Sequence, residues 1–396
     1  MPRPDAPRPD APRPDALVMV CDVDLGRSDA TRVHTVEVAR WFAGEGLAVD
    51  LVARGPDPAL DGVRYHAAAP GELGALARPF AVNRRAIRVL RERKDGVRTA
   101  YVRHSWALVP TLLAAKRLGY RITTQVDDVA YGPGFERRPG VAPLVGDYAR
   151  RFAARVMART ASSVVAVGEG IKTLLSTHFG VPAERITVIP NGVDPDLFAP
   201  VPREEAISRT RLDPDGQYVV FTGLLAGWVA VETMVRAFAE AAETRPRARL
   251  LLVGDGPGRE LVERLGAELG VAERVELTGF VADRARVSDL VAAATVCLVA
   301  YKPEFRARTA ATPVKLPEYL AAGRAVVGIG MPGISEMIEE NDAGVTVPND
   351  PQALAEAIGA LLDDPARADE LGANGRRAAV ERHSWRSVVQ RTIELL

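Results

Sequence analysis

Short apolar segments alternate with amphipathic stretches from residue 17 to the end of the chain, and this alternation constrains the fold more than any other feature. Leu17–Cys21 has the composition of a buried strand, His34–Gly46 that of a helix ending in glycine, and Leu47–Ala53 that of a second strand. Because parallel strands need a crossover between them, such alternation gives a parallel sheet covered by helices on both faces. We therefore predict an α/β protein built from doubly wound sheets.

The alternation stops at a turn-rich segment, 190–195, and resumes at residue 217 after a stretch without strand character. Since 396 residues exceed what one hydrophobic core usually supports, we predict two Rossmann-like domains, 17–199 and 200–396, with the last helix a candidate to return to the first. In such sheets ligands bind beyond the carboxyl ends of the strands, so we expect both domains to face a central cleft. The remaining predicted strands are 98–103, 120–126, 162–167, 185–189, 217–222, 249–253, 274–278, 295–301, 325–329 and 344–347.

Composition narrows the class of protein. Fifty-one basic residues balance 51 acidic ones, which gives no overall field to hold nucleic acid. The longest apolar run, 291–300, is far shorter than a membrane span. Cys21 and Cys297 lie in apolar runs and are interpreted as buried thiols of a cytoplasmic protein, and the five histidines lack metal-ligand spacing.

The N-terminus repeats Pro-Arg-Pro-Asp-Ala three times over residues 2–16. Two prolines in every five residues, with almost nothing apolar to bury, predict an extended and disordered segment over 1–16 with no role in the fold. The segment also lacks the apolar core of a signal peptide.

The segment 312–323 is the strongest functional motif. Pro313 suits a first helical turn and Gly323 a helix end, so we predict a helix that begins near Pro313. The segment of Thr312, Pro313 and Val314 would then offer unpaired backbone N–H groups, and these groups and the positive end of the helix dipole would form a phosphate site. Lys315 adds a cation, and Glu318 one turn later can accept from two sugar hydroxyls. This combination suits a sugar nucleotide.

Three other motifs each have a structural alternative. The loop with Gly254 and Gly256 follows a strand and precedes a helix; it is either a tight turn or backbone close to a nucleotide, and its spacing is not the dinucleotide fingerprint. Asp22-Val23-Asp24 resembles a metal-binding Asp-any-Asp, but it ends the first strand of a parallel sheet, and we predict no metal. The basic amphipathic stretch 79–94 fits a solvated helix better than a peripheral membrane contact.

Acidic residues follow two predicted strands of the first domain. Asp22, Asp24 and Asp29 come after the first strand, and Asp127 and Asp128 follow the strand that ends at Val126. Uncompensated carboxylates at the carboxyl ends favour a cationic ligand, with Asp127 a candidate catalytic residue, although turn and cap roles explain the same residues.

The chain resembles the retaining GT-B glycosyltransferases of family 4, also called glycosyl transferases group 1, over residues 17–396. The motifs that carry the resemblance are, in order, 190–194 with Phe198, 221–223, 253–257, Gly279-Phe280 and 315–323. The resemblance implies that Glu318 binds the donor ribose, that Thr312 to Lys315 hold the diphosphate and that Gly223 approaches it. It further implies that Phe280 and Val281 meet the base, and that Gly26 lies in the loop near donor phosphate and acceptor.

Three departures from the family pattern bear on this inference. Ala310 occupies the position of a first glutamate, and Leu224 with Val229-Ala230 occupies the positions of an arginine and a Lys-Gly pair. The segment 125–128 stands where the family often has histidine or asparagine. Lys315, Arg306 or Arg308 would have to replace the missing cations at the diphosphate.

From these features we predict a retaining, metal-independent glycosyltransferase of the hexosyltransferase type, with a nucleotide sugar as co-substrate and no cofactor. The expected donor is a UDP-sugar such as UDP-N-acetylglucosamine. The expected acceptor is a small, cationic aminocyclitol or aminoglycoside intermediate of antibiotic biosynthesis. The alternatives are a degenerate GT-B protein that binds a sugar nucleotide or a partner enzyme, and a sugar-nucleotide epimerase. The sequence leaves the oligomeric state open.

Overall fold

The computed structural model describes residues 13–27, 30–68, 77–127, 141–306 and 312–396. The chain divides into two compact units. Unit 1 contains the residues up to Pro190 and also Trp385–Leu396, and unit 2 is Asn191–Ser384. The division therefore falls after Pro190, earlier than the 199/200 boundary expected from the sequence, and the C-terminal segment belongs to unit 1.

Unit 1 is built on a parallel sheet of seven strands in the order β3-β2-β1-β4-β5-β6-β7. The winding direction reverses between β1 and β4, and such a switch point is where doubly wound sheets bind ligands. The strands are β1 (Ala16–Asp24), β2 (Ala48–Arg54), β3 (Val63–Ala67), β4 (Thr99–Arg103), β5 (Arg121–Val126), β6 (Ser163–Ala166) and β7 (Ile186–Val188). The helices are α1 (Ala30–Gly44), α2 (Ala77–Arg93), α3 (Val109–Arg117), α4 (Val141–Thr160) and α5 (Glu169–Phe179).

Unit 2 repeats the same topology with six parallel strands in the order β10-β9-β8-β11-β12-β13, and its switch point lies between β8 and β11. The strands are β8 (Gln217–Thr222), β9 (Ala248–Val253), β10 (Val275–Gly279), β11 (Ala294–Val299), β12 (Ala325–Ile329) and β13 (Gly344–Val347). The helices are α6 (Arg203–Thr210), α7 (Val231–Ala242), α8 (Arg259–Glu268), α9 (Arg284–Ala292), α10 (Pro303–Arg306), α11 (Lys315–Ala321), α12 (Ser335–Glu339), α13 (Pro351–Asp363) and α14 (Pro365–Arg382).

Helix boundaries follow local chemistry. An Asp-Pro pair begins both α13 and α14: Asp350 accepts from the Ala353 N–H at 2.9 Å, and Asp364 from the Arg367 N–H at 3.0 Å. The proline that follows each aspartate stands where a helix has no partner for an N–H. Buried strands such as 219–221 and 250–252 form the centre of the unit 2 core.

The chain returns to unit 1 through a last helix, α15 (Trp385–Ile393). Trp385, Val388 and Val389 recur at helical spacing and are buried against α1. Beyond the helix, the Leu395 carbonyl accepts from the hydroxyl of Thr123 in β5 at 3.0 Å and from that of Ser163 in β6 at 2.8 Å. These contacts join the end of the chain to the unit 1 sheet.

The prediction of two doubly wound α/β domains is confirmed, and both cysteines are buried free thiols. Two details differ. The first strand extends from Ala16 to Asp24, so Asp22 and Asp24 lie within β1 instead of after it. The end of the proline-rich repeat also takes part in the fold, because the Asp15 carbonyl accepts from the Ala48 N–H at 2.8 Å.

Candidate functional site

Lys315 lies at the switch point of unit 2. Its Nζ sits 3.6 Å from the centre of the Phe221 ring, near the end of β8, and 5.2 Å from the centre of the Tyr301 ring, just after β11. Aromatic faces attract an ammonium group and limit its motion. The two rings therefore hold a cation at the edge of the sheet where a doubly wound fold binds its ligand. The sequence predicted Lys315 but not the two aromatic side chains.

Gly223 makes room for this lysine. It has a φ of +116°, and a Cβ at this position would stand 3.0 Å from Lys315 Nζ. Gly254 in turn packs on Gly223, because a Cβ there would stand 2.2 Å from the Gly223 carbonyl oxygen. Gly256 is constrained in the same way, with a Cβ position 2.9 Å from the Leu225 carbonyl oxygen. The loops after β8 and β9 thus lie backbone against backbone, and their glycines serve this packing.

The residues before Lys315 are anchored to the core of unit 2. Thr312 is buried, and its carbonyl accepts from Asn191 Nδ2 at 2.9 Å. The Pro313 carbonyl accepts from the Leu316 N–H at 3.1 Å, and Val314 stands in the N-cap position. Helix α11 therefore begins at Lys315, two residues after Pro313, and the Leu316 N–H in its first turn is already bonded within the protein.

Glu318 forms an ion pair that the sequence did not predict. Its side chain is 5% exposed, and its Oε1 lies 2.7 Å from an Nη of Arg284, the first residue of α9. The Arg284 guanidinium also lies over the Phe198 ring, 5.0 Å from its centre. One carboxylate oxygen of Glu318 is thus engaged within the protein, and its predicted contact with a ribose stays a prediction.

The other predicted donor residues are spread along the same edge of unit 2. Phe280 follows β10 and is 64% exposed, and Val281 packs partly against the core. Leu224 is exposed where the family pattern has arginine, while Val229 and Ala230 are buried. A cavity of about 620 Å³ lies beside the start of α7, and Lys302 is among its lining residues.

In unit 1 the described members of the acidic group, Asp22, Asp24 and Asp127, are paired with arginines, which corrects the expectation of uncompensated charge for these three. Asp22 and Asp24 both face Arg54, the last residue of β2, at 3.1 and 3.4 Å. Asp127 bonds to Arg103, the last residue of β4. Each arginine comes from a strand next to the carboxylate's own strand, so the sheet topology brings opposite charges together. These three carboxylates therefore give no reason to expect a cationic acceptor, and Asp22 and Asp24 bind the Arg54 guanidinium.

Asp127 belongs to a buried hydrogen-bond network. Gln125 donates from Nε2 to Asp127 Oδ1, approaches His34 Nε2 at 2.6 Å and accepts from the Tyr101 hydroxyl. Burial disfavours the Asp127 charge, but Arg103 and then the other neighbours outweigh it, so the pKa of Asp127 lies below its ordinary value. Burial lowers the pKa of His34 to about 4, so the imidazole is neutral at pH 7. The network therefore carries one fixed ion pair and a neutral histidine.

Gly26 turns the chain at the end of β1. Its N–H donates to Asp24 Oδ1 at 3.0 Å, and a Cβ at this position would stand 3.3 Å from the same oxygen.

The predicted residues Asp29, Asp128, Arg308 and Ala310 lie outside the described residues. Within the described part, no helix is long and apolar enough to cross a membrane. The basic stretch expected near 79–94 is α2, with Phe80, Arg84 and Arg88 on its exposed face.

Two successive doubly wound units of this topology form the GT-B fold, which solved glycosyltransferase structures share. Sucrose-phosphate synthase from Thermosynechococcus elongatus superposes with a TM-score of 0.74 at 21% identity, covering 96% of this chain and 98% of that one. The Anabaena protein HepE, solved in complex with UDP, gives a TM-score of 0.73 at 20% identity over 96% and 98% of the two chains.

Sequence comparison identifies the family. The family described as Glycosyltransferase Family 4 matches residues 31–197, and that described as Glycosyl transferases group 1 matches residues 216–364, so the two matches together span most of the chain. The chain belongs to this family of glycosyltransferases.

Three curated relatives illustrate the family. The D-inositol 3-phosphate glycosyltransferase 1 of Catenulispora acidiphila is 28% identical over 93% of this chain and 90% of its own length. The GDP-mannose-dependent phosphatidylinositol monomannoside mannosyltransferase of Mycolicibacterium smegmatis is 31% identical over 62% of this chain, and the match spans just under two thirds of that relative, 65%. The 2-deoxystreptamine glucosyltransferase of Streptomyces kanamyceticus is 29% identical over 66% of each chain.

Proposed function

We propose that the protein transfers a sugar from a nucleoside-diphosphate sugar to a hydroxyl group of a small cyclitol acceptor. The observation that carries this proposal is the position of Lys315, a cation held between Phe221 and Tyr301 at the switch point of unit 2. A charge oriented before the ligand arrives needs no reorganisation when a diphosphate leaves, and such preorganisation is the usual source of electrostatic catalysis.

The donor would lie beyond the carboxyl ends of the strands of the unit 2 sheet. Lys315 would face the diphosphate, with Gly223 allowing close approach, and Glu318 would bind the ribose through the oxygen that Arg284 leaves available. The exposed Phe280 ring would stack on the base. Two bases are candidates: uracil, expected from the sequence with UDP-N-acetylglucosamine as an example, and guanine, the base named for the Mycolicibacterium relative.

The proposed reaction is a substitution at the anomeric carbon with retention and without a metal. The bond from the anomeric carbon to the diphosphate oxygen breaks, the bond to the acceptor oxygen forms on the same face, and the acceptor proton passes to the leaving phosphate. Lys315 would stabilise the charge that develops on the diphosphate, a contribution of roughly 2.7–4 kcal/mol for a well-placed donor.

The acceptor is inferred from what the relatives share. Inositol phosphate, phosphatidylinositol mannoside and 2-deoxystreptamine, the molecules named for three of them, all contain a cyclitol ring. Since Asp22, Asp24 and Asp127 are each paired with arginine, unit 1 gives no reason to require a positive charge on that ring. We therefore propose that the acceptor is a cyclitol, which need not carry an amino group.

The test is a matrix of donors and acceptors followed by mass spectrometry. The donors are UDP-glucose, UDP-N-acetylglucosamine and GDP-mannose, and the acceptors are myo-inositol, myo-inositol 1-phosphate and 2-deoxystreptamine. We expect one glycosylated cyclitol whose anomeric configuration by NMR matches the donor, with and without EDTA. Inversion would remove the proposed mechanism, and loss of activity with EDTA would remove its metal independence.

One observation favours a second candidate function, a protein that binds a sugar nucleotide without transferring it. Leu224, Val229 and Ala230 leave the loop after β8 without the cations typical of the family, so the donor diphosphate depends more heavily on Lys315. The two functions differ in one readout. Saturable donor binding with neither transfer nor donor hydrolysis in any combination would identify the binding protein.

A further inference from the structure

The edge of unit 1 formed by the carboxyl ends of its strands carries a partly buried ion pair that the donor reaction does not use. Arg103 ends β4, Asp127 follows β5, and these strands are neighbours in the sheet. Arg103 donates from Nε to Asp127 Oδ2 and from an Nη to the Thr31 carbonyl at 3.3 Å. The side chains are 14% and 21% exposed, so both are mostly enclosed but keep some contact with solvent.

The network behind the pair fixes its protonation and orientation. Gln125 directs an N–H to Asp127 Oδ1, and its own carbonyl oxygen is occupied by the Tyr101 hydroxyl. Arg103 holds the pKa of Asp127 below its ordinary value against the effect of burial, so Asp127 is a carboxylate at neutral pH. Two histidines near this network, His34 and His104, have pKa values lowered by burial to about 4 and are neutral, and burial raises the pKa of the Cys21 thiol and of the Tyr101 hydroxyl, so these groups are neutral as well.

We propose that the Arg103–Asp127 pair selects acceptors that present an uncharged hydroxyl at this position and discriminates against ammonium groups. This inference rests on the proposed function, because it deepens the assignment of the acceptor. Asp127 would accept a hydrogen bond from the acceptor hydroxyl. Arg103 acts as a positioning residue, which orients the carboxylate and cancels the charge that would otherwise attract a cation.

The physical basis is charge balance in a poorly hydrated place. An unpaired carboxylate would attract an ammonium group strongly, because the interaction of two charges is weakly screened away from water. With the guanidinium bonded to the same carboxylate, an ammonium is attracted by one charge and repelled by the other. A neutral hydroxyl of the substrate keeps its hydrogen bond in this arrangement, since it needs only a carboxylate oxygen of Asp127 to accept its proton.

The experiment measures binding of two probes that differ in charge, myo-inositol and scyllo-inosamine, by calorimetry. Wild type should bind scyllo-inosamine no better than myo-inositol. Arg103→Gln should shift the ratio of the two Kd values toward the amine by about tenfold or more, because it leaves the carboxylate unpaired. Asp127→Asn should shift the ratio in the opposite direction, since it leaves the guanidinium unpaired.

The double variant with both substitutions supplies the decisive readout, because it restores a neutral site. Its Kd ratio should return to the wild-type ratio even if both affinities fall, and a purely structural role would not produce that return. The proposal is overturned if wild type prefers the amine by tenfold, if the single variants leave the ratio unchanged, or if wild type binds neither probe. Donor transfer and hydrolysis, measured separately, decide the proposed function itself.

Discussion

The N–H of Thr222 donates to the Tyr319 hydroxyl oxygen at 2.8 Å, and the two hydroxyl groups lie 3.0 Å apart. Tyr319 belongs to α11, the helix that carries Lys315 and Glu318, while Thr222 is the last residue of β8. Both residues are buried. This phenol therefore fixes the distance between the helix with the predicted donor residues and the strand that ends at Gly223.

Tyr319→Phe should lower both stability and donor binding. The loss of a buried hydrogen bond leaves the Thr222 N–H without its partner and should cost about 1–3 kcal/mol in the free energy of unfolding. Tyr218→Phe is a matched control, because the Tyr218 hydroxyl accepts from the Asp213 N–H at 2.8 Å at the other end of the same strand. Chemical denaturation and donor titration should show a stability loss in both variants but weaker donor binding only in Tyr319→Phe.

Lys315→Ala should reduce turnover by about a hundredfold or more, because it removes the cation expected to stabilise the leaving diphosphate. Lys116→Ala, at an exposed position of α3, is the control and should behave as wild type. Steady-state kinetics with the donor found in the screen measure both variants. Equal rates for the two would move the diphosphate site away from Lys315.

Gly254→Ala should destabilise unit 2 by more than about 2 kcal/mol, because the residue has a φ of +149° and its Cβ would meet the Gly223 carbonyl oxygen. Gly227→Ala, three residues before Ala230 in the same region, is the control, since a Cβ there meets nothing within 4 Å. Thermal unfolding of the two variants compares them directly. Similar unfolding temperatures would contradict the close packing of the two loops.

The stability of the protein should fall as the pH is lowered from about 6.5 toward 4. The unfolded chain binds a proton at His34 near its ordinary pKa of 6.5, while burial lowers the folded pKa to about 4, so protonation favours the unfolded state over this range. His34 should account for a loss of about 2 kcal/mol between pH 7 and pH 5.

Denaturation of His34→Gln at the two pH values tests this expectation. The difference in unfolding free energy between pH 7 and pH 5 should shrink in the variant, while the surface substitution His178→Gln should leave it as in wild type. An unchanged pH dependence in His34→Gln would show that the buried imidazole does not contribute.

Glu318 and Arg284 should be coupled in stability by about 1–2 kcal/mol, because their ion pair joins α11 to α9 with one partner buried. A double-mutant cycle with Glu318→Gln and Arg284→Gln measures the coupling by denaturation.

Donor affinity separates this structural role of Glu318 from its predicted contact with the ribose. Glu318→Gln should weaken donor binding by about ten- to a hundredfold, and Arg284→Gln should weaken it less. The reverse order would identify Arg284 as the ligand contact.

Strand positions were predictable where apolar runs end in glycine or charge. The strands β8, β12 and β13 have the predicted bounds, because each is a short buried run between clear boundaries. Strand β3 (Val63–Ala67) was missed although its apolar and polar residues alternate, because this short edge strand has no fully buried residue and so no continuous apolar run. The extension of β1 to Asp24 was missed for a related reason: charged residues within a strand give no apolar signal.

Charge pairing was beyond sequence reasoning. Arg103 and Asp127 are 24 positions apart, and Arg284 and Glu318 are 34 apart, so no helical or strand periodicity connects them. They meet only because strand order and helix packing place them together. The sequence could therefore identify Lys315, Glu318 and Asp127 as candidate residues, but it could not show that two of them are neutralised within the protein.

The return of α15 to unit 1 has a consequence for biosynthesis. During translation the ribosome releases the first seven strands early, but α1, which packs on β1 and β2, obtains its contacts with α15 only when Trp385 and the residues after it have emerged. Unit 2 is contiguous in the chain and can finish folding before that moment. The N-terminal half of the polypeptide therefore completes its core only after the last residues of the chain have been made, so loss of the last helix removes a packing partner from the N-terminal unit.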